Sequence, residues 1–362
     1  MSDIVISGYY GLGNSGDEAL LKSIVNDLRK IAPDVTVTAL SGNAQLTEKK
    51  YNVSTVGRFN VFAVLRELKK AKLLVSGGGT LIQDATSTKS LLYYLAIIYF
   101  AKKLGLKVML YANGLGPIKE KNIPLVKYVL NKVDLITLRE NISLEEIKRC
   151  GITKPQIQIT ADPAFNLVPS TEDKASALMD KFDIPLNERI IAVSVRECVG
   201  VKEGFSDKVA KALDAICEKG YYPVFIPMQI SNDLKISFEI ANKMHRKSSV
   251  IDKEIEVSDM LSIIGKADIA CGMRLHMLIF ASVMKIPMAG IAYDPKIKGF
   301  MDYMGQTTYV ELKNFSEEEF ISALLYCHEN KEKMKKCLSD NFNDFKKKAD
   351  ENAMLATDLL KS

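Results

Sequence analysis

Short apolar runs rich in β-branched residues alternate with longer amphipathic stretches along the first half of the chain. Ile4-Val5-Ile6-Ser7 is typical of a strand, and the spacing of apolar residues from Glu18 to Ile31 predicts a helix. The same alternation predicts further strands at 35–40, 72–76, 107–111, 135–138 and 157–160, and further helices at 61–70, 91–104 and 141–150. Apolar strands that are separated by helices indicate a parallel sheet covered on both faces.

The second half repeats this pattern after a polar, proline-containing stretch. Predicted strands at 189–195, 222–226, 249–251, 268–271 and 288–292 alternate with predicted helices at 206–219, 233–243, 258–265, 275–284 and 317–330. The predicted fold class is α/β, with an N-terminal Rossmann-like domain at 1–167, a linker at 168–188, a C-terminal Rossmann-like domain at 189–340 and a helix at 341–362 that could cross back to the N-terminal domain. Two open α/β domains bind their ligand in the crevice at the carboxyl ends of the strands.

Composition narrows the class of protein. The formal net charge of +5 over 362 residues is too mild to indicate nucleic acid as a partner. Six cysteines without a C-x-x-C pair favour reduced thiols in the cytoplasm, and no metal-ligand spacing is present in the sequence. The N-terminus lacks the basic stretch of a signal peptide, and the apolar run at 91–101 is too short to cross a bilayer. We therefore expect a cytoplasmic enzyme without a metal ion.

The most informative motif is Met273-Arg274-Leu275-His276, which lies between the predicted strand at 268–271 and an apolar helix. A strand-to-helix turn directs helix N–H groups outward, where they attract an anion. Arg274 adds a planar fork for phosphate or carboxylate, and His276 can hold or release a proton near neutral pH. The alternative for His276 is a core histidine whose ring nitrogens are satisfied by the protein.

Three further cations follow strands of the second half and could converge with Arg274 on one anion. They are Arg196, Lys296 and Lys298. The alternative for Arg196 is a surface ion pair with Glu197 or Glu203.

Glycine-rich loops follow three predicted strands of the first half. The first loop, Gly11 to Gly16, has the G-x-G-x-x-G spacing of a dinucleotide-binding turn. However, no acidic residue ends the second strand to hold a ribose, and Asp17-Glu18 places negative charge where a pyrophosphate would bind. The alternative is a tight turn in which these acids favour the helix dipole, which leaves Tyr10 and Asn14 unexplained.

The other two loops are Gly77-Gly78-Gly79 and Asn113-Gly114-Leu115-Gly116-Pro117. Successive glycines let the main chain approach a ligand closely. Asp84 is a candidate general base for a sugar hydroxyl, with a solvated or capping carboxylate as the alternative. Because the three loops carry little positive charge, they suit a neutral sugar better than a phosphate. The residues that we assign to this acceptor groove are Tyr10, Asn14, Asp17, Gly78, Gly79 and Asn113.

Five motifs, in this order, resemble those of the polysaccharide pyruvyltransferase family, and specifically its CsaB-type cell-wall members. They lie at 8–19, 76–84, 162–165, 273–276 and 293–296, so the resemblance covers nearly the whole chain. It implies a glycosyltransferase-B-like fold in which two Rossmann-like domains face each other across a cleft. It also implies phosphoenolpyruvate as donor, and N-acetylmannosamine of a lipid-linked cell-wall precursor as acceptor. The product would be a 4,6-linked pyruvate ketal, with release of inorganic phosphate.

The resemblance also implies site residues. The family's donor-binding arginine and its Arg-Leu-His motif fall on Arg196 and 274–276, and its acid in the first domain falls on Asp84. The donor-binding set, with the two lysines added, is Arg196, Arg274, Leu275, His276, Lys296 and Lys298, and the catalytic set is His276, Asp84 and Arg274. Arg139-Glu140 stands where relatives often carry Arg-Asp, so the roles of these two residues are left open.

The expected mechanism uses phosphoenolpyruvate as a co-substrate and no metal or organic cofactor. Arg196 and Arg274 would neutralise the donor's phosphate and carboxylate. His276 would act as the acid or as the proton partner of the phosphate, and Asp84 would accept the proton of the attacking hydroxyl.

Two other functions are left open. One is a glycosyltransferase that uses a nucleotide sugar, with Glu254 or Glu256 for the donor ribose. The other is a non-catalytic carbohydrate-binding protein on the same fold. A lipid-linked acceptor allows a peripheral membrane contact, although the basic stretch from Lys331 to Lys336 favours a solvated helix face. The oligomeric state is also left open.

Overall fold

A computed structural model describes residues 2–85, 87–198, 200–201 and 203–362 of the protein. The chain divides into two compact units. The first unit contains the residues up to Asn166 together with Asp344–Ser362, and the second unit contains Leu167–Asn343. Each unit is built on one parallel sheet covered by helices, so the predicted α/β class with two parallel-sheet domains is confirmed.

The first unit is built on a seven-stranded sheet. Its strands are β1 (Ile4–Tyr10), β2 (Val37–Ser41), β3 (Ser54–Gly57), β4 (Leu73–Gly77), β5 (Lys107–Asn113), β6 (Leu135–Leu138) and β7 (Gln156–Ile159). They pair in parallel in the order β3-β2-β1-β4-β5-β6-β7, with Ser7 of β1 opposite Ser76 of β4. The strand order reverses between β1 and β4, and ligands of open parallel sheets bind at the carboxyl ends of strands near such a reversal.

Helices cover both faces of this sheet. They are α1 (Ser15–Ile31), α2 (Ala44–Tyr51), α3 (Val61–Lys70), α4 (Thr88–Lys103), α5 (Ile123–Leu130) and α6 (Asn141–Arg149), with short 3-10 helices at Glu120–Asn122 and Pro163–Asn166. Alternate side chains along β1 point to opposite faces, so Ile4 and Ile6 pack with α1, whereas Val5 packs with α3, α4 and α5. The two faces thus have separate apolar cores.

The predicted apolar helix at 91–104 is confirmed as α4. Its buried side chains include Leu91, Leu95 and Ile98, which pack in the core of the first unit. Within the part of the chain that the structure describes, no helix has both the length and the apolar character needed to cross a membrane.

The second unit is built on a six-stranded sheet. Its strands are β8 (Arg189–Ser194), β9 (Tyr221–Phe225), β10 (Ser249–Val250), β11 (Ala267–Gly272), β12 (Met288–Ala292) and β13 (Tyr309–Glu311). They pair in parallel in the order β10-β9-β8-β11-β12-β13. The helices are α7 (Glu172–Lys181), α8 (Phe205–Cys217), α9 (Ile230–Lys243), α10 (Val257–Gly265), α11 (Leu275–Val283), α12 (Pro295–Tyr303) and α13 (Glu317–Glu329), with a 3-10 helix at Leu312–Asn314. Helix α7 lies in the segment predicted as a linker, and the predicted residue limits of the domains stay a prediction.

The last helix, α14 (Lys331–Lys361), belongs to both units, and its residues from Asp344 onward belong to the first. Asn352 of this helix is completely buried. Its amide donates to the Ala161 carbonyl at 3.0 Å, and its Oδ1 accepts from the hydroxyls of Thr137 at 2.6 Å and Thr160 at 2.8 Å. These buried hydrogen bonds attach the helix to the ends of β6 and β7, where unpaired polar groups would destabilise the fold.

Candidate active site

Two arginines of the second unit lie at the carboxyl ends of neighbouring strands. Arg196 follows β8, and Arg274 follows β11 and precedes α11 as its N-cap residue. The Nη1 of Arg196 donates to the hydroxyl of Tyr293, which follows β12, at 3.0 Å, and its guanidinium lies 5.1 Å from the centre of that ring. The contact between Arg196 and Tyr293 therefore connects the carboxyl ends of β8 and β12, which lie on either side of β11.

Electrostatic contacts show that both guanidinium groups act on the same region. Burial raises the pKa of Tyr293, and the positive charges of Arg196 and Arg274 oppose that rise. Burial likewise raises the pKa of Cys198, again against both arginines. Arg196 contacts the Tyr293 hydroxyl directly, and the charge of Arg274 acts on the same hydroxyl and on the Cys198 thiol. The convergence of the two arginines on one anion stays a prediction.

A buried carboxylate that the sequence analysis missed fixes the orientation of Arg274. Asp233, in the first turn of α9, is completely buried. Its Oδ2 accepts from Nε of Arg274 at 3.0 Å and its Oδ1 accepts from Nη2 at 2.5 Å. Gln229 supports the pair, because its main-chain N–H donates to Asp233 at 3.0 Å and its side-chain oxygen lies 3.4 Å from Nη2 of Arg274. The contacts with Asp233 and Gln229 use Nε and Nη2 and hold the guanidinium group of Arg274 in one orientation.

The remaining predicted donor residues differ in position. His276 is half-buried in the first turn of α11 with Leu275, two residues after Arg274, and its ring centre lies 6.2 Å from that of Phe280. Lys296 is buried at the start of α12. Lys298 is exposed, and its ammonium lies 5.7 Å from the ring of Tyr309 on the edge strand β13. Residues two apart in a helix point in different directions, so placing Lys298 beside Lys296 in the donor set is not supported by this geometry.

Tyr10 and Asn14 of the predicted acceptor groove have structural contacts. Tyr10 is completely buried, and its hydroxyl donates to the Gly77 carbonyl at 2.6 Å. The ring therefore has no surface for an acceptor, which corrects the assignment of Tyr10. Asn14 is the N-cap of α1, and its side chain accepts from the N–H of Gly16 at 3.0 Å. The sequence gives no structural reason for Asn14, and this N-cap hydrogen bond provides one.

The carboxylate of Asp84 is also engaged within the protein. Asp84 is completely buried, and its oxygens accept from the main-chain N–H of Lys119 at 2.9 Å and from the side-chain amide of Asn122 at 2.5 Å. Both oxygens thus hold the loop that follows β5. A base must reach the proton that it removes. The geometry therefore does not support Asp84 as the general base.

Asp17 is the carboxylate of the predicted acceptor groove that lies beside the glycine loop after β4. It is half-buried in the first turn of α1. Gly79 has φ +69°, and a Cβ atom placed on it would lie 3.2 Å from Oδ1 of Asp17. Gly78 has φ +65° and lies against Leu20. The glycine loop after β4 therefore passes directly beside the Asp17 carboxylate because it lacks side chains.

Asn113 is completely buried, and its amide donates to the carbonyls of Ser76 at 2.8 Å and Tyr111 at 3.0 Å.

Arg139 and Glu140, whose roles the sequence left open, lie beside the glycine loop after β5. A Cβ atom on Gly114 would lie 3.0 Å from Oε1 of Glu140 and 3.5 Å from Nη2 of Arg139. Arg139 is buried and pairs with Asp162 at 2.5 Å. Burial lowers the pKa of Arg139, but the charges of Asp162, Glu140 and Asp17 more than offset it, so the net change is upward. One buried cation thus lies in the field of three carboxylates.

The two glutamates considered for the ribose of a nucleotide sugar lie in the segment between β10 and α10. Glu254 is exposed and Glu256 is half-buried. Among the described residues, no three histidine, cysteine, aspartate or glutamate side chains are grouped to hold a metal ion.

Comparison with known proteins identifies the family. The sequence model of the polysaccharide pyruvyl transferases matches residues 14–295. The chain belongs to the polysaccharide pyruvyl transferase family. Amylovoran biosynthesis protein AmsJ of Erwinia amylovora is 22% identical, and the match covers 83% of this chain and 86% of that protein. As a member of this family, the protein is a transferase that acts in the pyruvylation of polysaccharides.

Solved structures share the fold of this polysaccharide pyruvyl transferase at low sequence identity. A glycosyltransferase from Rickettsia africae is 15% identical with a TM-score of 0.65, and the match covers 100% of this chain and 99% of that chain. A UDP-N-acetylglucosamine 2-epimerase described as putative, from Listeria monocytogenes, is 12% identical with a TM-score of 0.69, covering 97% and 94%. HepE of Anabaena, in complex with UDP and glucose, is 12% identical with a TM-score of 0.64, covering 100% and 98%. The predicted glycosyltransferase-B-like fold is confirmed.

Proposed function

We propose that this protein transfers the pyruvyl group of phosphoenolpyruvate to two hydroxyls of a sugar, forming a 4,6-linked pyruvate ketal and releasing inorganic phosphate. The observation that carries the proposal is the pair Arg196 and Arg274 acting on the Tyr293 hydroxyl in a member of this family. Two guanidinium groups suit a donor with one phosphate and one carboxylate. The bidentate contact with Asp233 fixes one of them before the donor binds.

The chemistry requires protons but no oxidation. A proton added to the methylene carbon of phosphoenolpyruvate makes the neighbouring carbon electrophilic, and one sugar hydroxyl bonds to that carbon and loses its proton. The C–O bond to phosphate then breaks, and the second hydroxyl closes the ketal. Of the two hydroxyl protons, one is balanced by the new methyl hydrogen and the other leaves with phosphate. We propose that phosphoenolpyruvate is the only co-substrate and that the reaction needs no metal.

We assign the acid role to His276, because it lies half-buried in the first turn of α11, the helix that Arg274 begins as its N-cap residue. Helix N-terminal N–H groups and the arginines favour a bound phosphate at this position. For the proton of the attacking hydroxyl we assign Asp17 in place of Asp84, since Asp17 lies beside the Gly79 main chain and Asp84 is enclosed. Positioned acids and bases typically contribute about 10²–10⁴-fold to the rate.

We further propose a CsaB-type acceptor, N-acetylmannosamine on a lipid-linked cell-wall precursor, reached from the cytoplasm. The accessible edge of the first unit presents Asp17 and glycine main chain, which suit sugar hydroxyls. Arg139, beside the glycine loop after β5, is buried and paired with Asp162, so its charge does not attract an anion to this edge.

A phosphate-release assay with phosphoenolpyruvate and a panel of aminosugar acceptors tests the proposal, with mass spectrometry to detect the ketal. We expect His276→Ala and Asp17→Asn to lower turnover at least about 100-fold. His245→Ala, which changes an exposed histidine, is the matched control and should keep full turnover. Turnover with a nucleotide sugar but not with phosphoenolpyruvate would favour the glycosyltransferase alternative. Sugar binding without turnover of either donor would favour the carbohydrate-binding alternative.

A further inference from the structure

The positive charge of this chain is concentrated in one stretch. Residues 58–132 contain 13 lysines and arginines but 3 aspartates and glutamates, a formal charge of +10, whereas the whole chain carries +5. The remainder of the chain is therefore net acidic. Most of the stretch forms α3, α4 and α5 and the loops that join them to the sheet. These three helices cover one face of the sheet of the first unit, and we call them the basic helical layer.

Large apolar side chains are exposed on the same layer. Phe59 is 75% exposed, Val61 61% and Phe62 88%, all at the start of α3. Leu92 and Phe100 on α4 and Tyr128 on α5 are also exposed. Ring contacts connect the helices, because Phe59 lies 5.8 Å from Tyr93, and Tyr99 lies 6.3 Å from Tyr128. Clustered exposed apolar side chains on a soluble domain are typical of a binding surface.

Helix α3 shows how the two properties are combined. Val64 and Leu68 point into the core. Phe62, Arg66 and Lys69 are exposed and follow each other at spacings of four and three residues, so they share the outward face. An aromatic residue beside cations on one face of a helix is typical of helices that lie in a bilayer interface.

Arg58 connects the exposed residues to the acceptor edge of the sheet. Its guanidinium is buried 4.6 Å from the centre of the Tyr93 ring and 5.7 Å from that of Tyr9. Its Nη1 donates to the carbonyl of Gly8 in β1 at 3.3 Å. The segment that exposes Phe59 and Phe62 is thus held beside the loop that leads to Asp17.

We propose that the basic helical layer docks on the surface of a lipid bilayer that contains anionic phospholipids. The exposed residues Phe59, Val61 and Phe62 enter the interface, and the surrounding lysines and arginines contact lipid phosphates. The exposed cations of the layer select this occupant, because apolar side chains alone would fit a protein partner or a second copy equally well. They include Arg66, Lys69, Lys89, Lys103 and Lys127. Docking does not depend on the reaction, although it would bring the proposed acceptor groove close to a lipid-linked sugar.

Cosedimentation of the full chain with vesicles tests the proposal. We expect the partition coefficient to be at least about tenfold higher for equimolar phosphatidylcholine and phosphatidylglycerol than for phosphatidylcholine alone, and to fall as salt is added. Phe59→Ser combined with Phe62→Ser should lower it at least about tenfold. Arg66→Glu combined with Lys69→Glu should do the same without altering an apolar side chain. Val168→Ser combined with Leu186→Ser, which removes two exposed apolar side chains outside the layer, should leave it unchanged.

Failure to bind the anionic vesicles, or undiminished binding by both layer variants, would overturn the proposal. Sedimentation equilibrium gives a further decisive outcome. If the wild-type chain is a dimer that the phenylalanine variant separates into monomers while vesicle binding persists, the layer binds a second copy instead. The phosphate-release assay with a water-soluble acceptor separates this proposal from the enzymatic one, because the phenylalanine variant should keep wild-type turnover there.

Discussion

Asp27 is a buried carboxyl on α1, and its replacement by asparagine should change stability in a pH-dependent way. The side-chain amide of Asn166 bridges it to Asp350, donating to Asp27 at 2.9 Å and to Asp350 at 3.0 Å. Burial raises the pKa of Asp27 from its ordinary value of 3.8 to about 6; the Asp350 charge adds to the rise, while Asn166, Lys30 and Lys346 oppose it. The native state therefore holds this proton more tightly than the unfolded chain does.

The sign and size follow from proton linkage. Because the pKa in the native state is the higher one, the native state binds more protons between pH 3.8 and about 6, and stability falls as the pH rises through that window. Above this pH window, the free energy of unfolding is about 3 kcal/mol lower than it is when Asp27 is protonated. Asp27→Asn removes this cost and keeps an oxygen for the amide of Asn166. The variant should be more stable than the wild type by about 2 kcal/mol near pH 5 and by about 3 kcal/mol near pH 8.

Urea unfolding followed by circular dichroism from about pH 5 to about pH 8 measures this difference. Asp34→Asn, at an exposed carboxylate just after α1, is the matched control and should change the free energy of unfolding little at any pH. A stability difference for Asp27→Asn that stays constant with pH, or that makes the variant the less stable protein near pH 8, would refute the reasoning.

Three further predictions concern single contacts. Tyr293→Phe removes the hydroxyl that accepts from Arg196, so the Kd for phosphoenolpyruvate, measured by calorimetry, should rise about fivefold, and an unchanged Kd would contradict that contact. Gly79→Ala places a Cβ 3.2 Å from Asp17 at positive φ, so kcat/KM for the acceptor should fall while the donor Kd is unchanged. Asn352→Ala leaves two buried hydroxyls without their acceptor and should lower the free energy of unfolding by about 2 kcal/mol in urea titrations, whereas a loss near zero would argue against the buried network.

The central strands of both sheets could be predicted because their residues form continuous apolar runs, as in β1 and β4. The edge strand β3 could not, since Ser54 is exposed, Thr55 is half-buried and no apolar run marks the strand. Helix α12 was missed for another reason. Asp294 caps it and Pro295 opens it, which is a recognisable helix start, but the sequence analysis uses this segment only as the family motif at 293–296.

The candidate site also contains some residues whose positions could be predicted and others whose positions could not. Arg196 and Arg274 could be expected to meet, because both follow strands and a parallel sheet places all carboxyl ends at one edge. The partner of Arg274 could not be predicted, since Asp233 is 41 residues away and reaches it only through the order β9-β8-β11. The sequence suggests Asp84 as a base because a carboxylate beside glycines is chemically plausible. Its enclosure depends on how the loop at 117–122 folds over it, and that packing leaves no local pattern in the sequence.

The discontinuity of the first unit has a consequence for biosynthesis. Strands β1 to β7 leave the ribosome early, yet the apolar core on the α1 side also includes Ala353 and Ala356. That side can close only after translation has passed these positions. During this interval the nascent sheet has one incompletely covered face, which is the kind of exposed apolar surface that chaperones bind.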